Sequence, residues 1–155
     1  MRITAVLVVL PASLAIAANV SGQFEDAKKI QGLWRVESID GGPSKQEPKF
    51  KLKFFADHFV AVEPGQEENR MFYRLNPKSN PKEIDVAKRP FNDDVGAIVP
   101  GIYEFRGEVL RICLPTERKD RKPKTVSTFA LQEYARPKEF KPSRDVVMLT
   151  LKRDQ

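Results

Sequence analysis

The stretch Lys28-Lys29-Ile30-Gln31-Gly32-Leu33-Trp34-Arg35-Val36-Glu37 decides the fold that this sequence predicts. It holds the only tryptophan of the chain, Trp34, two residues after Gly32. Residues 23–30 place acids early and bases late, as a short helix prefers. From Trp34 to Glu37 apolar and polar residues alternate, which is typical of a half-buried strand. The stretch predicts a short helix, then the first strand of a small β-barrel with Trp34 closing one end.

The rest of the chain divides into short runs that alternate in polarity. Most of its 12 prolines lie between these runs, as breaks between strands. Arg106-Gly107 is suited to a two-residue hairpin turn. We expect a tight turn at residues 56–58 and an irregular connection at 89–100. The predicted strands are Leu33–Ile39, Phe50–Phe55, Phe59–Glu63, Arg70–Leu75, Ile84–Val86, Ile102–Phe105, Val109–Leu114, Thr125–Leu131 and Val146–Arg153. This pattern predicts an all-β fold, an antiparallel up-and-down barrel of about eight strands with a short N-terminal helix.

Residues 1–17 have the features of an export signal. The start is positively charged, residues 3–10 are nearly all apolar, and Ala15-Ile16-Ala17 offers a small-x-small cleavage pattern. The apolar run is short for a bilayer span, although an uncleaved anchor is the alternative. We expect cleavage after residue 17, or as late as about residue 23, and a single domain over residues 24–155. The predicted location is periplasmic or secreted, with no transmembrane segment in the mature chain.

The residues available for catalysis or metal binding are few. The chain has one histidine, His58, and one cysteine, Cys113, whereas a zinc site usually needs three or four such ligands. Cys113 lies in an apolar run, where a buried thiol is expected. The adjacent acids at residues 67–68 and 93–94 lack the spacing of a calcium loop. No phosphate-binding loop or nucleophile elbow is present. We therefore predict no enzyme activity, no metal and no cofactor.

A basic run accounts for much of the net charge of +6. Its basic residues are Arg118, Lys119, Arg121, Lys122 and Lys124. Such a run could contact an anionic polymer or a cell-surface partner, and its lack of interleaved aromatic residues argues against nucleic acid. The alternative is a solvated loop.

Several ordered segments resemble one known family. Gly32-Leu33-Trp34 is the glycine-x-tryptophan that opens the first strand of lipocalin-like barrels. The full set is Asp26–Trp34, Tyr73–Pro77, Lys82–Val86, Gly101–Phe105, Leu110–Leu114, Arg136–Phe140 and Leu149–Arg153. In this order they resemble an uncharacterised planctomycete family of small exported lipocalin-like domains. The segment 116–135 is longer than its usual counterpart. The resemblance implies a lipocalin-like fold and export, and it implies no established reaction.

The resemblance also implies how the barrel closes. In lipocalin-like barrels a basic residue of the last strand packs over the first-strand tryptophan, and Arg153 matches that position better than Lys152. A guanidinium over an indole face gains roughly 0.5–2 kcal/mol. We expect Gly32, Trp34 and Arg153 to form this structural closure.

Ligand binding inside the barrel is the more specific of the functional predictions. The candidate lining residues, from strand alternation, are Val36, Leu52, Phe54, Tyr73, Ile84, Tyr103, Phe105, Leu110 and Leu149. A small apolar or amphipathic ligand would fit such a lining. The alternative is a structural or interaction module whose barrel is filled by these side chains and whose basic loop contacts an anionic partner. A third, weaker reading is a hydrolase or isomerase acting on a bound ligand.

Overall fold

The computed structural model describes residues 17–42, 48, 50–63, 69–92, 96–116 and 134–154, with the side chains of the first helix from Phe24 onward. Within these ranges one helix is followed by eight strands. They are α1 (Ala17–Ile30), β1 (Gly32–Gly41), β2 (Lys51–Phe54), β3 (His58–Val62), β4 (Arg70–Asn76), β5 (Glu83–Ala87), β6 (Ile98–Arg106), β7 (Val109–Pro115) and β8 (Val146–Arg153). The predicted strand Thr125–Leu131 and the basic residues Arg118, Lys119, Arg121, Lys122 and Lys124 lie outside the described residues.

The eight strands form one closed antiparallel barrel. Each strand pairs with its neighbour in sequence, and β1 pairs with β8 to complete the ring. The predicted fold class, an all-β up-and-down barrel with a short helix, is confirmed. Closure leaves no unpaired edge among the eight described strands, which removes a route to aggregation. No helix in the described part of the chain has the length and apolar character needed to cross a membrane.

The two ends of the barrel differ. At one end, called here the floor end, lie Gly32, Trp34 and Arg153, together with the short turns β2–β3, β4–β5 and β6–β7. At the opposite, far end the four remaining connections each include residues outside the described ranges. Helix α1 runs directly into β1 at the floor end, so the helix is held beside that end.

A β-bulge interrupts the alternation of β1. Trp34 pairs with Arg153 and Val36 with Leu151, but the register then shifts so that Ile39 pairs with Leu149. A bulge places two residues opposite one, so the strand changes phase. Val36 and Ile39 therefore both pack on the interior cluster although they are three residues apart. Simple alternation does not predict this change of face.

Of the eight described strands only β8 has its predicted bounds, and β3 and β6 begin with residues expected outside a strand. His58, expected in a tight turn, is the first residue of β3 and pairs with Phe72. Residues 98–100, expected in an irregular connection, begin β6. Pro100 is tolerated there because it pairs only with Asp85 of β5, whereas the β6–β7 pairing begins at Ile102. Tyr103 N–H donates to the Lys82 carbonyl on the β5 side, so by alternation the nitrogen of Pro100 faces the opposite side, and its missing N–H removes no ladder bond.

A second buried layer lies outside the barrel. Tyr103 and Ile112 belong to the interior cluster, so their neighbours Ile102 and Cys113 face outward, yet both are fully buried. Residues 134–140 lie across this face. Arg136 donates to the Gly101 carbonyl at 2.6 Å and to Asp85 at 2.6 Å, which fastens this segment to β5 and β6.

Candidate functional site

The floor of the barrel is built around Trp34. Its indole ring is fully buried, and its Nε1–H donates to the Ile30 carbonyl at 2.7 Å. The Arg153 guanidinium lies 4.4 Å from the ring centroid. Arg153 Nη1 donates to the Gln31 carbonyl at 2.9 Å, and its Nη2 donates to the Lys29 carbonyl. One side chain of β8 therefore covers the tryptophan and also satisfies carbonyl groups at the end of α1.

Gly32 is required at the floor for two physical reasons. Its φ is +113°, a backbone conformation that only glycine adopts without strain. A Cβ at this position would also lie 2.8 Å from Arg153 Nη1. The glycine thus lets α1 turn into β1 and leaves room for the guanidinium.

The nine predicted lining residues divide into two groups. Seven are buried in the interior cluster, namely Val36, Leu52, Phe54, Tyr73, Ile84, Tyr103 and Leu110. Phe105 and Leu149 are partly buried and pack against that cluster. The predicted lining omitted other residues of the interior cluster, Ile30, Val86, Ile112 and Leu151 among them.

The half of the interior nearest the floor is tightly packed with rings. Phe54 stacks on Phe59 with centroids 4.9 Å apart and meets Tyr73 edge to face at 5.5 Å. Phe105 lies 6.3 Å from Trp34 and 5.9 Å from Tyr103. Contacts of this kind fill space between side chains, as in other protein interiors.

The Tyr73 hydroxyl forms a structural hydrogen bond. It donates to the Phe55 carbonyl at 2.6 Å, at the turn between β2 and β3. Burial, with the charge of Asp57 adding to it, raises the pKa of Tyr73 to about 12. The group is therefore a neutral hydrogen-bond donor across the physiological range.

Several aliphatic interior side chains in the far half are partly exposed, namely Ile39, Val99, Leu114 and Leu149. Val86 in the same half is buried, and Phe59 and Phe105 near the floor are also partly exposed. The far half of the barrel therefore presents hydrocarbon surface that the described side chains do not cover.

A buried polar network joins α1 to the barrel. Asp26 is 7% exposed, and its Oδ2 accepts from the Tyr103 hydroxyl at 2.6 Å and from Lys82 Nζ at 2.7 Å. Burial, followed by the hydrogen bond to Asp26, raises the pKa of Tyr103 well above its usual range. The sequence prediction missed this network. The sequence offered one indication that Asp26 is buried: it lies four residues before the apolar Ile30, so both are on the same face of the helix.

A cleft of about 350 Å³ lies outside the floor end, between α1, the β4–β5 turn and β6. It is lined by Asp26, Lys29, Asn80, Pro81, Lys82, Tyr103, Glu104, Phe105 and Phe140. Phe105, predicted as barrel lining, thus also faces this external cleft. Three aromatic rings and four charged groups meet here.

The single histidine takes part in a local contact. His58 Nδ1 lies 2.7 Å from Asp57 Oδ1, and its ring stacks on Phe55 at 4.6 Å. The hydrogen bond with His58 lowers the pKa of the Asp57 carboxyl. Among the residues that the structure describes, no group of three or more His, Cys, Asp or Glu could hold a metal ion. Cys113 is fully buried, and burial raises its pKa to about 11.

No family model, no curated protein and no solved structure matches the chain.

Proposed function

We propose that this protein is an exported, non-enzymatic lipocalin-like domain that binds a small apolar or amphipathic ligand in the far half of its barrel. The resemblance to the planctomycete family and the signal-like residues 1–17 support export and the lipocalin-like assignment. The presence of one histidine and one cysteine supports a binding role over catalysis.

The observation that carries the proposal is the partial exposure of aliphatic interior side chains toward the far end, above a floor that is closed by Trp34. At the floor end Trp34, Tyr103 and Leu110 have no exposed surface. Toward the far end interior side chains such as Ile39 and Leu149 keep partial exposure. A barrel that is closed at one end and retains uncovered apolar surface near the other is the shape used to hold one small ligand.

The lining indicates which part of a ligand would be buried. The interior hydroxyls of Tyr73 and Tyr103 already have partners, and both belong to the floor half. The far-half residues Ile39, Val99, Leu114 and Leu149 offer only hydrocarbon. A ligand that buries roughly 200 Å² of apolar surface would gain about 5 kcal/mol. Its apolar part would enter the barrel, and any polar head would stay at the far end.

The experiment is a titration with a fluorescent fatty acid, cis-parinaric acid, on three proteins. Leu149→Trp adds bulk to the interior, whereas Lys152→Trp adds the same ring on the outer face of β8. We expect saturable binding to the wild type and the Lys152 variant, and loss of binding in the Leu149 variant. Absence of saturable binding to the wild type, or equal loss in both variants, would refute binding in the far half.

The alternative is a filled barrel that contacts an anionic partner through its basic loop. That loop lies outside the described residues, so no observation of the structure favours this function and it stays a prediction. Its test is retention on heparin before and after replacement of the five basic residues, Arg118, Lys119, Arg121, Lys122 and Lys124.

A further inference from the structure

We propose that the external cleft at the floor end is a second binding site, which takes a small organic anion: a carboxylate or phosphate group on an apolar body about the size of one aromatic ring. The cleft lies outside the barrel, on the side of the floor away from the far half. This proposal is therefore independent of ligand binding inside the barrel.

The size of the cleft suits a small molecule. Its volume of about 350 Å³ corresponds to roughly ten to twelve water molecules at liquid density. Its walls come from α1, the β4–β5 turn, β6 and Phe140, which are far apart in sequence. Such a concave site with a few polar groups beside aromatic rings is the usual form of a small-molecule site.

The charges of the cleft favour an anion. Glu104 Oε1 is paired with Arg111 at 2.7 Å and with Arg106 at 2.8 Å. Asp26 is paired with Lys82 at 2.7 Å and accepts the Tyr103 hydroxyl. Both lining carboxylates are thus compensated by cations.

Lys29 supplies the positive charge of the cleft that is left after these ion pairs are counted. It is exposed, and its Nζ lies 4.8 Å from the Phe105 centroid. Within the described part of the chain, no carboxylate forms an ion pair with it. The cleft therefore carries an excess positive charge at Lys29, and the ammonium of Lys82 also lines it.

The two ammonium groups are placed over neighbouring rings. Lys82 Nζ lies 6.0 Å from the Tyr103 centroid, and the Tyr103 and Phe105 centroids are 5.9 Å apart. An anion held by Lys29 and Lys82 would leave its apolar body beside Phe105 and Phe140, which are both partly exposed. The site thus selects a charged head and an apolar body together.

Several groups of the site are held before any ligand arrives. Lys82 is fixed by Asp26, which is itself fixed by Tyr103. The Arg111 guanidinium lies 5.4 Å from the Phe140 centroid, which positions that ring. Groups that are already ordered lose less conformational freedom on binding, so a small ligand can gain measurable affinity.

The test uses benzoate and phenyl phosphate as probes, with benzyl alcohol as the neutral analogue and acetate as the anion without an apolar body. Trp34 is the only tryptophan and lies 6.3 Å from Phe105, so its emission reports occupancy. Amide chemical shifts of Tyr103, Phe105 and Phe140 locate the probe.

We expect benzoate or phenyl phosphate to bind saturably, with shifts at these three residues and with affinity above that of benzyl alcohol and acetate. Lys29→Gln should weaken the better probe about fivefold, the effect of losing one partly exposed ion pair. Lys28→Gln is the matched control, because Lys28 is an exposed lysine on the same helix outside the cleft, and it should change affinity less than about twofold. The preferred probe tells whether the natural ligand is a carboxylate or a phosphate.

Three results would overturn the proposal: no saturable binding of either anion, equal weakening by Lys28→Gln and Lys29→Gln, or binding of benzyl alcohol or acetate as tight as that of the better anion. The Leu149→Trp variant separates the two proposals. It alters the interior of the barrel, and the amide shifts of Tyr103, Phe105 and Phe140 should show unchanged binding of benzoate and phenyl phosphate.

Discussion

Gly32→Ala is the substitution that tests the floor of the barrel most directly. It adds one methyl group at a backbone φ of +113° and 2.8 Å from Arg153 Nη1. The added Cβ therefore acts in two ways. It strains the backbone where α1 turns into β1, and it pushes the Arg153 guanidinium off its position over Trp34.

The magnitude follows from those two effects. A non-glycine residue in a sparsely populated backbone region costs about 1–3 kcal/mol. Displacing Arg153 weakens its hydrogen bonds to the Gln31 and Lys29 carbonyls, and a bond to a charged donor contributes about 1.5–3 kcal/mol. We expect Gly32→Ala to lower the free energy of unfolding by about 3–5 kcal/mol. That is a large share of the roughly 5–15 kcal/mol typical of a domain.

The assay is a double-mutant cycle with Arg153→Met, which keeps an apolar chain over the ring but removes the guanidinium. Urea unfolding is followed by the emission of Trp34, which is the only tryptophan and is fully buried. In the Arg153→Met background only the backbone strain remains, so Gly32→Ala should cost about 1–3 kcal/mol. The coupling between the two sites should therefore be about 2 kcal/mol.

Two outcomes would refute this reasoning. If Gly32→Ala has the same effect in both backgrounds, the close approach of Arg153 is irrelevant to the glycine. If it lowers stability by less than about 1 kcal/mol in the wild type, the backbone of residue 32 relaxes without strain.

Three further predictions concern the hydroxyls of Tyr103 and Tyr73 and the guanidinium of Arg136. Tyr103→Phe removes the hydroxyl that donates to Asp26, so we expect a loss of about 1–3 kcal/mol and faster amide hydrogen exchange in α1. The pKa of Tyr73 is raised to about 12 in the folded state, so the unfolded chain loses this proton first, and urea midpoints should fall as pH rises from about 10 to 12. Arg136→Ala removes the bonds to Asp85 and the Gly101 carbonyl, which should increase the labelling rate of the buried Cys113 by a thiol reagent.

Each of these has a matched control. Tyr73→Phe removes an internal hydroxyl bonded to the β2–β3 turn, and it should leave exchange in α1 unchanged while reducing the loss of stability above pH 10. Arg106→Ala removes an exposed arginine of the same sheet and should not change Cys113 labelling. Equal exchange in the two tyrosine variants, or equal labelling in the two arginine variants, would contradict the assigned contacts.

The features that follow from strict alternation were predictable from sequence. Strand β8 was predicted with its observed bounds, because apolar residues recur at every second position through Val147, Leu149 and Leu151. The placement of Arg153 over Trp34 came from the resemblance to lipocalin-like barrels, and the observed distance of 4.4 Å agrees with it. Local periodicity was sufficient to predict β8, and the resemblance to lipocalin-like barrels was sufficient to predict the position of Arg153.

The features that depend on distant partners were not predictable in the same way. Asp26 looks like an ordinary acid of a helix, and its partner Tyr103 is 77 residues away. Arg136 lies in a polar, proline-broken run, and its bond to Asp85 spans 51 residues. The bulge of β1 depends on the register with β8, which no local pattern encodes. In each case the tertiary pairing decides the role of the residue.

The pairing of β1 with β8 also determines when the barrel can form. Arg153 meets the Gln31 carbonyl across 122 residues, so the contact that covers Trp34 is among the most non-local in the protein. Non-local contacts are slow to form because the intervening chain must first be ordered. During synthesis β1 can pair with β2, but its other edge stays unpaired until β8 has emerged, and until then no closed ring exists.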